Sequence, residues 1–247
     1  MPKTALINVY PGGYARGPDG SLVVSGSAYS GESQATTFYA WVSPDCRIDT
    51  VVRLSPFNPE AAVVAADGVV WLAGTERGRS PEEPFNRDSH AVRRFDRSGK
   101  LLGSFFPASM LGANPAWPAK HPADSSRLVA SRDRIGWFVP LAKRYIEFSL
   151  EGKIIGQYGV PQEVSSYNAT PYPALCDDGG VFLGHIQYGK TGGAAGWGIF
   201  SLDRNTGTWR FAPQAGKWGM VYGCDGNLLA TTTDIGTINW LGAAPQR

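Results

Sequence analysis

A turn built on an aspartate recurs five times along this chain and limits the folds that the sequence can adopt. The turn aspartates are Asp19, Asp67, Asp133, Asp178 and Asp225, and all except Asp133 are followed by glycine. The intervals between them are 48, 66, 45 and 47 residues. A repeat at a roughly fixed interval is typical of architectures in which each repeat is one supersecondary unit. The sequence therefore predicts five modules, one of which carries an insertion.

Short apolar runs surround each turn. A small residue lies two positions before every turn aspartate, and a small aliphatic residue lies four positions before it. Each turn is followed by strand-like segments, such as VVWLAG and then AVRRFD, and a second turn leads to a fourth segment, such as KLLGSFF. No stretch has helical periodicity, so the pattern predicts an all-β protein of four-stranded antiparallel modules. Small residues in the first strand of each module fit a β-propeller, whose inner strands converge on a crowded axis.

The predicted fold is a single five-bladed β-propeller domain over residues 1–247. Residues 4–10 are expected to supply the fourth strand of the last blade, beside residues 236–241, so that no sheet edge is left open. An alternative in which residues 106–125 form a degenerate sixth blade stays open. The predicted blades lie near residues 12–54, 60–105, 126–158, 172–212 and 218–241.

The blade pattern, with a D-G-x-L/V-x-V core and an F-D-x-x-G-K turn, resembles the propeller superfamily that includes the NHL-repeat proteins. The resemblance covers nearly the whole chain, although NHL propellers usually have six blades. It implies that a ligand binds at the face formed by the loops between strands two and three and by the connections between blades. A fold of this kind does not by itself define a function.

A phosphate-binding pattern, GHIQYGKT, occupies residues 184–191. A working phosphate loop requires a helix directly after its Lys-Thr pair. Thr191 is followed instead by GGAAGWG, whose glycines disfavour a helix. We therefore predict a surface loop in the fourth blade, with Gly184 ending the second strand, His185 at the rim of the channel and Lys190 exposed.

The leading functional hypothesis is a non-catalytic module that binds a small ligand or a protein partner on its loop face, without a cofactor. The alternative is a metal-dependent, lactonase-like hydrolase. Glu60 is similar to the first acidic ligand of gluconolactonase-type propellers, and with Asn168 it would hold a divalent metal such as Ca²⁺. One acid at the corresponding inner-strand positions does not suffice for a glycosidase. The candidate ligand-binding residues are Asn58, Glu60, Trp117, His121, Asn168, Tyr172, His185 and Trp218.

Charge and apolar patterning exclude several classes of partner. The net charge is only +2 and the basic residues are scattered, so neither a nucleic acid nor a membrane surface is predicted as a partner. No apolar run approaches the roughly 20 residues of a membrane span. The chain is expected to be a soluble monomer without a signal peptide, either cytoplasmic or the mature form of a secreted or periplasmic protein. Cys46, Cys176 and Cys224 are odd in number and lack C-x-x-C spacing, so neither a disulfide framework nor a zinc site is predicted.

Overall fold

The computed structural model describes eight parts of the chain, and within them nearly all regular structure is β-strand. Nineteen strands and three short 3-10 turns are present in these parts. The predicted all-β class is therefore confirmed. The same parts contain no helix that could serve as a membrane span. The described residues are 8–30, 34–78, 85–112, 125–164, 172–188, 193–216, 219–233 and 237–242.

The first of two compact units, residues 1–128, contains two four-stranded sheets in which neighbouring strands are antiparallel and consecutive. The predicted four-stranded antiparallel module is thus confirmed for both sheets. The first sheet consists of β1 (Asn8–Arg16), β2 (Leu22–Ser30), β3 (Gln34–Val42) and β4 (Ile48–Arg53). The second consists of β5 (Phe57–Val64), β6 (Val70–Glu76), β7 (His90–Phe95) and β8 (Leu101–Pro107), and the 3-10 turn Ala108–Leu111 follows it.

The second unit, residues 129–247, contains three sheets of the same antiparallel kind, and two of them have four strands. The third sheet of the chain begins at the unit boundary and consists of β9 (Arg127–Ala130), β10 (Arg134–Val139), β11 (Arg144–Ser149) and β12 (Ile154–Gly159). The fourth consists of β13 (Pro173–Leu175), β14 (Val181–Tyr188), β15 (Ala194–Asp203) and β16 (Thr208–Gln214). The fifth has three described strands, β17 (Gly219–Asp225), β18 (Leu228–Thr233) and β19 (Thr237–Gly242). The remaining 3-10 turns are Pro140–Ala142 and Gln162–Val164.

The recurring aspartates hold the tight turn between the first and second strands of a sheet. In three turns a carboxylate oxygen accepts a hydrogen bond from the backbone N–H two residues later: Asp19 from Ser21 at 3.0 Å, Asp67 from Val69 at 3.0 Å and Asp178 from Gly180 at 2.8 Å. The glycine that follows each aspartate has a positive φ, between 80° and 90°. Only glycine adopts this left-handed backbone at low cost, and an aspartate side chain readily bonds its own turn. The repeat in the sequence is therefore a repeat of turn chemistry.

Buried side chains fill the space between consecutive sheets within each unit. In the first unit, Tyr39 and Trp41 from the first sheet pack in one cluster with Leu72 and Phe95 from the second. In the second unit, one cluster joins the third and fourth sheets, and another joins the fourth and fifth. Each sheet thus buries the apolar face that its alternating sequence provides.

The first strand differs from the prediction. Residues 8–10 begin β1 and pair with residues 27–29 of β2, so they belong to the first sheet and not to a strand beside residues 236–241. The reason is that the pairing of β1 continues through a bulge at Gly12, which extends this strand toward the N-terminus. Residues 1–7 and 113–124 lie outside the described residues. Four expectations therefore stay predictions: closure by residues 4–7, the count of five blades, the NHL-like assignment and a sixth blade within 106–125.

A single disulfide joins Cys176 to Cys224, which the number and spacing of the cysteines did not indicate. Cys176 follows β13 and Cys224 lies in β17, both next to the aspartate turn of their sheet, and their Cα atoms are 5.1 Å apart. Spacing rules missed the pair because the two cysteines are 48 residues apart and meet only through the packing of adjacent modules. The third cysteine, Cys46, is free and exposed.

Candidate functional site

The phosphate-loop pattern begins inside a strand. Gly184 pairs with Ile199 and His185 with Gly198, and β14 continues to Tyr188, so the expectation that Gly184 ends this strand is wrong. Residues 194–203 form β15, so no helix N-terminus is available there to receive a phosphate. Lys190 lies outside the described residues. Residues 184–188 of the pattern therefore belong to a β-strand.

Asn58 and Glu60, two of the candidate binding residues, lie in contact near the start of β5. The Asn58 Nδ2 donates a hydrogen bond to Glu60 Oε1 at 2.8 Å. Glu60 is the extra residue of a β-bulge, because Pro59 pairs with Gly74 while Ala61 pairs with Ala73. A bulge re-aims the side chain of its unpaired residue. The bulge therefore presents the carboxylate to the amide of Asn58.

The innermost strand of the first sheet comes close to this pair. A Cβ on Gly12 would lie 3.1 Å from the backbone oxygen of Pro59, so glycine at this position allows β1 and β5 to approach. Gly12 is the bulge residue of β1, as Glu60 is of β5, and each lies seven positions before its turn aspartate. The approach brings Ser27 Oγ to 3.5 Å from Asn58 Oδ1.

Two tyrosines that the sequence analysis did not select lie beside Ser27. Tyr10 is directly opposite Ser27 in the pairing of β1 with β2, and Tyr29 follows Ser27 by two residues. Cross-strand partners and alternate residues share one face of a sheet, so these three side chains lie on the same face. The two rings are 5.5 Å apart and nearly perpendicular, and 58% of Tyr10 and 38% of Tyr29 are exposed. We call Tyr10, Ser27, Tyr29, Asn58 and Glu60 the loop-end patch.

The other candidate residues belong to the second half of the chain or lie outside the described residues. Tyr172 is exposed and directly precedes β13. His185 is partly buried within β14, with its ring 5.9 Å from that of Phe200 and 6.5 Å from that of Phe211. Its Nδ1 is buried and has no hydrogen-bond partner among the described residues. Trp117, His121, Asn168 and Trp218 lie outside the described residues.

We expect His185 to make the stability of the fold depend on pH. Burial lowers the pKa of His185 below its ordinary value of 6.5, and the charge of Glu163 opposes this effect only in part. The unfolded chain therefore takes up a proton before the folded chain does, so stability present above pH 6.5 is lost as the pH falls through the lowered pKa. We expect the free energy of unfolding in urea to decrease less between pH 7.5 and pH 5 in His185→Gln than in the wild type. The exposed His90 is the control, and equal pH dependence in His185→Gln and His90→Gln would contradict this role.

A buried ion pair connects the third and fourth sheets. Glu147 of β11 is 1% exposed, and it accepts hydrogen bonds from Arg204 Nε at 3.0 Å and from a terminal nitrogen of Arg204 at 2.5 Å. Arg204 also donates to the backbone oxygen of Gly179, and Arg134 lies 3.8 Å from the same carboxylate. In the first unit the matching arginine of the repeat, Arg97, lies over the ring of Trp41 at 4.8 Å. In both places an arginine at the same position of the repeat joins one sheet to the next.

A cavity of about 320 Å³ lies at the turn end of the first unit, and Asp19, Asp67, Asp96 and Arg97 line it. Its carboxylates already hold the turns. Hydrogen bonds from Ser21 to Asp19 lower the pKa of that carboxyl to about 2, and a hydrogen bond from Ser98 lowers the pKa of Asp96. Arg97 in turn contacts Asp19 at 2.9 Å. Because these groups satisfy one another, the loop-end patch is the better candidate for a binding site.

No protein-family model matches the chain, and no curated protein matches it. Several solved structures are similar to it. The streptogramin B lyase structure is 14% identical over 94% of this chain and 63% of that chain, with a TM-score of 0.52. The β-propeller domain of the Trilobed protease from Pyrococcus furiosus is 10% identical over 95% of this chain and 66% of that one, with a TM-score of 0.53. The GH74 xyloglucanase from Xanthomonas campestris is 18% identical over 90% of this chain and 34% of that one, with a TM-score of 0.52.

Similarity at these identities shows the fold alone. The predicted β-propeller fold is supported by these neighbours. The chain spans less than two thirds of the length of each of the three proteins. They include enzymes, so the fold is compatible with catalysis as well as with binding and selects neither.

Proposed function

We propose that this chain is a non-catalytic binding propeller that takes a small ligand at the loop-end patch. The observation that carries the proposal is the Asn58–Glu60 hydrogen bond on an inner-strand bulge, beside two partly exposed tyrosines. Asn58 has a second Nδ2–H that this hydrogen bond does not use, and a carboxylate can accept several hydrogen bonds. Polar groups fixed on strands next to aromatic rings are typical of sites for small molecules.

The alternative of a metal-dependent, lactonase-like hydrolase receives less support. No three His, Cys, Asp or Glu side chains within the described ranges are grouped so as to hold a metal ion. The proposed second ligand, Asn168, lies outside those ranges. Metal analysis of protein purified without chelator separates the two hypotheses: a stoichiometric divalent ion that is lost in Glu60→Gln would favour the hydrolase.

The disulfide supports one of the two compartments considered. Disulfides persist in oxidising surroundings and are rare in cytosolic proteins. Cys176 and Cys224 are joined, so we propose that the protein is a secreted or periplasmic one. A monomer with five NHL-like blades remains part of this proposal, as does the absence of a nucleic-acid partner.

Ligand-observed NMR with a library of neutral, cationic and anionic small molecules tests the binding function. We expect hits with the wild type that are lost in Asn58→Ala, because this change removes both the amide and the orientation of Glu60. Asn205→Ala is the matched control, since Asn205 is exposed in the turn between β15 and β16. Hits that survive equally in both variants would place binding elsewhere, and an absence of hits would remove the proposal.

A further inference from the structure

We infer that the loop-end patch recognises a carbohydrate, through one hydroxylated sugar ring. The inference rests on the proposed binding function and adds the chemical class of the ligand. It follows from two features of the patch, the geometry of its rings and the hydrogen-bonding groups beside them.

The tyrosine pair offers a partly exposed aromatic surface. Tyr10 is 58% exposed although it lies in a paired strand, and its position is fixed by pairing with Ser27. The ring of Tyr29 meets it at 89°, with the centroids 5.5 Å apart. The face of an aromatic ring is negative and its edge positive. The slightly positive C–H groups on one side of a sugar can therefore pack against such a face.

The polar groups beside the rings match neighbouring hydroxyl groups. Asn58 connects Ser27 and Glu60, with separations of 3.5 Å and 2.8 Å. These three side chains carry a hydroxyl, a carboxamide and a carboxylate, so together they present both donors and acceptors. A sugar hydroxyl is itself a donor and an acceptor, and two adjacent hydroxyls can use an amide and a carboxylate together. Because the hydrogen bonds within the patch fix these groups before binding, little side-chain entropy is lost on association.

An organic cation fits the same patch less well. Cation sites place ring faces around the charged group, as in aromatic cages. Here the edge of one ring points at the face of the other, so the pair does not form two facing walls. The ring geometry therefore favours a ligand that packs on one ring face over a cation held between two.

Isothermal titration with cellotetraose, xylotetraose, maltotetraose and chitotetraose, together with a glycan array, tests the inference. We expect at least one oligosaccharide to bind, and Tyr10→Ala to weaken that binding by about tenfold because the stacking surface is lost. Tyr10→Phe retains the ring and should remain within about twofold. Asn58→Ala should also weaken binding by about tenfold, through the lost hydrogen bonds.

Tyr14→Ala is the matched control, since Tyr14 is 64% exposed on the same strand and lies outside the patch. Binding that Tyr10→Ala and Tyr14→Ala weaken equally would overturn the inference. If no oligosaccharide binds but choline does, and Tyr10→Ala abolishes it, the ligand class is wrong while the binding function stands. If neither the oligosaccharides nor the small-molecule library bind, both proposals fail.

Discussion

Replacing Cys176 and Cys224 with serine is expected to lower the melting temperature by roughly 10 °C. The disulfide joins residues separated by 48 positions, and it links the fourth sheet to the three described strands of the fifth. A crosslink of this length removes loop-closure entropy from the unfolded chain, which is worth about 4 kcal/mol. For a chain of this size, each kcal/mol shifts the melting temperature by roughly 2–4 °C.

Thermal unfolding with and without reductant measures this effect, and thiol titration checks its cause. Denatured, unreduced wild type should show one thiol per chain, that of Cys46, and all three cysteines should react after reduction. Cys46→Ser, which removes the exposed free cysteine, should melt like the wild type. Three reactive thiols in the unreduced protein would refute the disulfide.

Arg204→Met is expected to destabilise the fold by about 3–5 kcal/mol, because it leaves the carboxylate of Glu147 buried without its principal partner. Glu147 is 1% exposed and receives two hydrogen bonds from Arg204. Arg134, at 3.8 Å, can compensate only in part. Glu147→Leu combined with Arg204→Met should recover some of the loss, since an apolar pair needs no compensating charge.

Urea unfolding of these variants, with Arg210→Met as control, tests how much the Glu147–Arg204 ion pair contributes to stability. Arg210 lies in the adjacent strand and its side chain is 74% exposed, at 3.0 Å from Asp203. An ion pair whose arginine is this exposed to solvent contributes about 0–1 kcal/mol. Equal losses for Arg204→Met and Arg210→Met would show that burial of Glu147 does not determine the cost.

The local parts of the fold could be predicted from the sequence. A turn such as that at Asp67 needs only a side chain that bonds its own backbone and a glycine with positive φ, and both are encoded within four residues. Strand positions followed from alternation around these turns. Asn58 and Glu60 could be selected together because they lie two residues apart at the start of an inner strand.

The contacts between sheets could not be predicted in the same way. The disulfide, the Glu147–Arg204 pair and the position of Ser27 beside Asn58 join residues 48, 57 and 31 positions apart. Only the packing of one module against the next decides which of their side chains meet. The N-terminal strand illustrates the same limit. Its apolar alternation identifies it as a strand but does not identify its partner. Residues 8–10 pair with β2, and the local sequence does not show whether this pairing is more stable than pairing with residues 236–241. The sequence alone therefore determined the turns, the strands and the class of fold. The tertiary structure decided the partners, because the free energy of a contact between sheets depends on register and burial that no short segment contains.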